Sequence, residues 1–144
     1  EGYIEKYFAT YGKVKKFLDR TVEDAKKNGY TVTMFGRRRP IPELASSNFM
    51  TRSFGERAAM NAPVQGTAAD IIKIAMVRVN RRLKEEHLQS KLVLQIHDEL
   101  IIETKKEELE IVQKILVEEM MHAADRAVPL LVDANVGDSW YDAK

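Results

Sequence analysis

The stretch "KLVLQIHDELIIETKKEE", residues 91–108, decides how this chain is read. Two apolar runs, Leu92–Ile96 and Leu100–Ile102, enclose His97, Asp98 and Glu99. Short apolar runs bounded by polar residues read as the two strands of a hairpin. A two-residue hairpin turn favours Gly or Asn, which tolerate positive φ. The expected tip here, Asp98–Glu99, has no glycine. Either the hairpin is strained or longer than the pattern suggests, or these residue types serve something besides the turn.

Upstream, apolar side chains at Tyr3, Ile4, Tyr7, Phe8, Tyr11, Val14, Phe17, Leu18 and Val22 follow helical spacing. Gly12 kinks or divides that helix, and Asn28–Gly29 is a stop signal. The aromatic residues Tyr3, Tyr7, Phe8, Tyr11 and Phe17 are read as core packing rather than platforms for stacked bases. "YTVTMF" reads as a strand, Gly36 as a turn, and "RRRPIP" as a basic return whose prolines exclude a central-strand role. "SSNFMTR" reads as loop, and Ser53 with Glu56 as a capping box. Because proline lacks the N–H donor of a helix interior, the pattern predicts a short helix to about Asn61 and a long one from Pro63 to Glu86.

Downstream of the hairpin, Thr104 and Glu107 form a second capping-box pattern before a helix carrying Leu109, Val112, Leu116 and Met120. "PLLVDANV" reads as a last strand, and Gly137–Asp138 as a turn before Trp140. This order predicts an α+β fold in a single unit over residues 1–144, a small antiparallel sheet with helices packed on one face.

The sequence has 144 residues, 44% hydrophobic and 31% charged, which is the balance of a globular chain with a modest core. Formal net charge is +1, so binding to nucleic acid has to come from a local patch. Between Gly36 and Arg57 there are five Arg against two Glu, a patch able to hold phosphates and equally readable as a solvated loop anchored by ion pairs. With no cysteine, disulfides and thiolate metal sites are excluded. No apolar run reaches the length of a membrane span. The chain opens at Glu1 without an initiator methionine, which suggests a piece of a longer protein.

An acid in a turn is ordinary, because its carboxylate accepts hydrogen bonds from nearby backbone donors. Carboxylates held on a rigid element can also bind magnesium ions, which keep several waters and take substrate phosphates as further ligands. The tripeptide His97-Asp98-Glu99 does not choose between the two. Asp70, among small and apolar residues, is read as a structural acid rather than a metal ligand.

"LVLQIHDELIIE" together with "RSFGERAAMNAPVQGTAADIIKIAM" resembles the C-terminal part of family A DNA polymerases, and "YIEKYFATYGKVKKF", "TMFGRRRPIPEL" and "GDSWYDAK" extend the resemblance along the chain. It implies that the hairpin belongs to the polymerase palm and that Asp98 is one of two carboxylates holding the catalytic metals, two Mg²⁺ ions in the complete enzyme. Glu99 would support it, and His97 would lie near the primer terminus. Arg57, Asn61 and Gln65, spaced four apart, would contact primer–template DNA in the minor groove, where acceptors occupy nearly the same place in every base pair. The implied activity is template-directed DNA synthesis from a dNTP and a primer 3′-hydroxyl, in a bacterial-type cytoplasm at the nucleoid and with no membrane partner.

The family's first motif, a D-Y-S-x-I-E-L-R-like strand with the other metal-binding Asp, is absent from residues 1–144, as is the fingers-helix motif with its Arg and Lys for the triphosphate. On the family pattern both lie upstream, so this segment by itself is expected not to synthesise DNA. A single-subunit RNA polymerase shares the palm and the H-D tip, although Glu99 and "NAPVQGTAADIIK" favour the DNA enzyme. An HD-type phosphohydrolase would need further ligands, and only His87 and His122 remain as histidines. A non-catalytic DNA-binding or interaction module is the alternative from outside the enzymes.

Overall fold

The structure, a computed structural model, describes residues 2–125 and 127–143. It divides into two compact units, Glu1–Thr67 and Ala68–Lys144. The expected α+β class holds, but the strands pair in two separate two-stranded sheets rather than one.

In the first unit, helix α1 (Gly2–Thr10) and helix α2 (Gly12–Asn28) are divided at Tyr11, next to Gly12. Helix α2 ends where Gly29 takes φ 79° and donates its N–H to the Ala25 carbonyl, a left-handed cap that glycine adopts without a Cβ penalty. Strands β1 (Tyr30–Val32) and β2 (Arg38–Pro40) pair antiparallel, with Pro40 opposite Tyr30 at the ladder's end. A 3-10 turn (Pro42–Ala45) leads to helix α3 (Phe49–Glu85). Ala25, Ile41, Leu44 and Ala59 form the buried cluster, with Val22 and Ala58 against it.

The expected split of α3 at Pro63 does not occur: one helix of 37 residues runs through the proline. A single proline removes one ladder bond, and the buried residues around it, Ala59, Ala62 and Thr67, hold the helix on either side. Nor does the helix start at Ser53. The cap is Asn48, whose Oδ1 accepts the N–H groups of Met50 (2.8 Å) and Thr51 (3.2 Å). Ser53 instead lies inside the helix, and Glu56 pairs with Lys26 at 2.6 Å.

The aromatic helix face is a second correction. Tyr3, Tyr7, Tyr11 and Phe17 are exposed, at 91%, 49%, 54% and 51%. Tyr7 packs edge-on against Phe8 and tilted against Tyr11. Helical spacing fixes that these rings share a face; it says nothing of what covers that face.

In the second unit, α3 supplies a buried stripe of Ile72, Ala75, Val79 and Leu83. Leu100 from the hairpin, Val112 and Ile115 from helix α4 (Leu109–Met121), and Ala123 complete this core. Strands β3 (Lys91–Ile96) and β4 (Glu99–Glu103) pair antiparallel. A bulge leaves Val93 as an extra residue between Leu92, opposite Ile102, and Leu94, opposite Ile101. Such a bulge bends the strand and re-aims its side chains, and both Val93 and Leu94 are exposed.

The second capping box also fails to form. Thr104 Oγ1 donates to the Ile102 carbonyl, while a short 3-10 turn (Lys106–Glu108) precedes α4. "PLLVDANV" is not a strand; its Ala134 carbonyl accepts the Gln113 side-chain amide at 3.1 Å. An apolar run becomes a strand only where a neighbouring edge offers its ladder, and here α4 supplies the hydrogen bond instead.

Candidate active site

The hairpin tip lies one residue earlier than the pattern suggested. Ile96 and Glu99 are the last paired residues, so the two-residue turn is His97–Asp98. His97 takes φ 50°, a left-handed conformation rarely adopted by residues with a Cβ. The strained alternative is therefore the one realised. Gln95 fastens the tip by donating its side-chain amide to the His97 carbonyl at 2.7 Å. His97, Asp98 and Glu99 are all exposed, whereas Leu100 immediately behind them is buried in the core. An exposed acidic tip is thus held on a strand whose next residue is anchored.

The base of the hairpin is held by Glu108. Its carboxylate accepts the N–H groups of Gln89 and Ser90 and the Ser90 hydroxyl, while Ser90 Oγ accepts the Lys105 N–H at 3.1 Å. These donors, the Gln89 N–H first, hold the Glu108 carboxyl below its ordinary value. Beside the hairpin, a groove of about 1190 Å³ runs along α4 and residues 131–143, with Asp98, Glu99 and Trp140 among the residues of its wall.

The three residues of the other expected set lie on α3 in the first unit. Arg57, Asn61 and Gln65 are all exposed, and Arg57 donates to Ser53 Oγ at 3.1 Å. The structure thus sorts the expected site residues into two groups, one per unit. Asp70 is half-buried on α3 in the second unit.

The arginine-rich patch is tied into local structure at four places. Arg37 donates to the Gly66 carbonyl, Arg38 stacks over the Tyr30 ring, Arg52 donates to the Ser46 carbonyl, and Arg57 holds Ser53. Not anticipated from the sequence are the side chains that brace the hairpin, Gln95 and Glu108, and those that tie the β1–β2 turn to α3, Arg37 and Thr67. A polar residue just before a tip was the one available signal for Gln95. The bonds by which the others reach across the fold have partners 18 or more residues away: Gly66 for Arg37, Ser90 for Glu108 and Met34 for Thr67.

Asp98 and Glu99 offer hard oxygen donors, the kind a magnesium ion takes, and such an ion needs only one or two carboxylates besides water and phosphate. Among the described residues, no three His, Cys, Asp or Glu side chains converge to hold a metal ion. The donors present fit part of such a site. No described helix is long and apolar enough to cross a membrane.

Residues 1–142 match the sequence profile of DNA polymerase family A. The chain is 51% identical over 142 residues to DNA polymerase I of Bacillus caldotenax and 52% identical to that of Bacillus subtilis (strain 168). Each match covers 99% of this chain and 16% of the relative, so the chain spans a small part of their length. The POL domain of Pol1 from M. smegmatis, solved in complex with DNA primer-template and dNTP, is similar with a TM-score of 0.94 and 46% identity, over 97% of this chain and 25% of that one. This chain belongs to DNA polymerase family A.

Proposed function

We propose that residues 1–144 are a single C-terminal segment of a polymerase domain, the palm with helices leading from the fingers, and that they act in template-directed DNA synthesis within a longer chain. The observation that carries the reading is the hairpin tip: an exposed Asp98 beside a left-handed His97, on a strand anchored by buried Leu100. Non-glycine residues in such conformations cluster at functional sites, because the surrounding structure has to hold them there.

In this reading Asp98 holds divalent metal, taken to be two Mg²⁺ ions shared with a carboxylate elsewhere in the polymerase. Bound there, the metal would lower the pKa of the primer 3′-hydroxyl and neutralise charge developing on the triphosphate. Glu99 flanks Asp98 and adds negative charge to the site. His97 sits at the primer end of the tip. Arg57, Asn61 and Gln65 donate to the minor-groove acceptors of primer–template DNA, checking pair geometry without reading sequence. The partners are primer–template, dNTP and the rest of the polymerase chain, in the bacterial cytoplasm at the nucleoid.

Primer extension with magnesium tests this, using the longest natural chain that contains the segment. Wild type should extend with deoxynucleotides in preference to ribonucleotides, and Asp98→Ala should not extend while still binding DNA. Equal extension by both proteins would move the metal site elsewhere.

A further inference from the structure

The turn joining β1 to β2 reaches α3 at Gly66 and Thr67, directly after Gln65. Arg37 donates from its guanidinium to the Gly66 carbonyl at 3.0 Å. Thr67, 7% exposed, donates its hydroxyl to the Pro63 carbonyl at 2.5 Å and accepts the Met34 N–H at 3.0 Å. The turn is itself braced: Thr33 Oγ1 accepts the N–H groups of Phe35 and Arg37, and the Thr33 N–H donates to the Arg37 carbonyl at 2.9 Å. The approach is close enough to require glycine. A Cβ on Gly66 would lie 2.7 Å from Thr33 Cγ2.

Residues two apart on a helix project to nearly opposite sides, at 3.6 residues per turn. Thr67 is buried under the turn, and Gln65 is exposed. Whatever fixes Thr67 therefore fixes the direction in which Gln65 points. Two bonds from a braced turn, on either side of a glycine contact, resist rotation of the helix about its axis better than apolar packing does, because hydrogen bonds are directional. The proline one turn earlier makes such a brace useful, since its missing N–H loosens the ladder there.

We propose that the Thr33–Arg37 turn is a positioning clamp that sets the orientation of Gln65 through Gly66 and Thr67, and so governs engagement and matching of the primer–template. Arg37, Thr67 and Gly66 act through Gln65; they are positioning residues. The inference rests on the minor-groove reading of Gln65 given above.

The test uses an intact polymerase carrying this segment, with three variants: Gly66→Ala, Gly66→Ala with Thr33→Ser, and Gln65→Ala. The serine keeps the bracing hydroxyl and removes the methyl that the new Cβ would meet. Readouts are the primer–template Kd and the ratio of matched to mismatched primer extension, with a thermal melt to follow folding. Gly66→Ala should weaken binding or lower the ratio about tenfold, on the scale expected when a contact group is misplaced by a fraction of an ångström. The double variant should restore both readouts towards wild type.

A Gly66→Ala protein indistinguishable from wild type, beside a defective Gln65→Ala, overturns the clamp alone. A loss that Thr33→Ser does not rescue overturns it too, because Gly66 would then matter for another reason. An unchanged Gln65→Ala removes the minor-groove reading, and the clamp falls with it.

Discussion

Glu108 accepts the hydroxyl of Ser90 at 2.6 Å and its backbone N–H at 2.9 Å, tying the start of β3 to the turn that opens α4. The hairpin that presents Asp98 is thus closed at its base by one carboxylate. A carboxylate that gathers backbone donors is favoured in its charged form. Its folded pKa lies below the ordinary 4.5, so its stabilisation is fully present above that value and is lost as pH falls through the folded pKa. Glu56, paired with Lys26, and Glu118, paired with Arg82, are depressed in the same way and share that acid window. Glu108→Gln should lower the Tm at neutral pH and make it fall less steeply below the carboxylate range. Melts across pH 3 to 7 would check this; parallel Tm curves for wild type and variant would dismiss the role of Glu108 in acid stability.

Two described residues other than glycine have positive φ, His87 (55°) and His97 (50°), and they permit a matched experiment. His87 follows α3, where the Leu88 N–H donates to the Leu83 carbonyl at 3.0 Å, the bond of a Schellman cap. Glycine should relieve each position by about 1 kcal/mol. His87→Gly is expected to raise the Tm and leave primer extension as it was. His97→Gly should raise the Tm and lower extension, because the imidazole and the fixed tip are lost together. A His97→Gly enzyme as active as wild type would mean that neither the imidazole nor the rigidity of the tip is needed for extension.

The helices, the antiparallel hairpins and the acidic tip were legible because each is written locally, in periodicity, glycine stops and apolar runs. What the sequence hid is held by distant partners. Asn48 caps α3 only because the preceding chain turns to meet it, whereas the Ser53–Glu56 pattern lost to a Lys26 ion pair. Pro63 looked like a boundary, yet buried neighbours carry the helix through it. The tip shifted by one residue because hairpin register depends on pairing opposite Ile96, which no single strand specifies. At the hairpin, Asp98 was legible as an acid on a turn, but the grip of Gln95 and Glu108 was not.

Leu83 and Val77 lie on the same helix and differ in exposure, 2% against 55%. Leu83→Ala removes packing from a stripe shared with Val79 and Ile115 and should cost about 2–5 kcal/mol. Val77→Ala should stay within about 0.5 kcal/mol of wild type. Chemical denaturation of the two variants, followed by far-UV circular dichroism, separates them. Similar losses at both sites would contradict the assignment of this helix face to the core.

Pro63 lies between Asn61 and Gln65 and has no N–H to offer the Ala59 carbonyl. An interior proline costs a helix about 3 kcal/mol relative to alanine, so Pro63→Ala should stabilise the protein by some fraction of that. The fraction is reduced because the proline ring is itself buried and the alanine leaves space behind. Restoring the hydrogen bond at residue 63 would also stiffen the helix between Asn61 and Gln65, residues proposed with Arg57 to follow one groove of DNA. The expected result is a raised Tm with a weaker primer–template Kd, a trade that a purely structural proline would not make. Melting curves and DNA titrations on the same preparation read both quantities. A variant more stable than wild type and unchanged in DNA binding would show that the missing ladder bond does not shape the stripe proposed to face DNA.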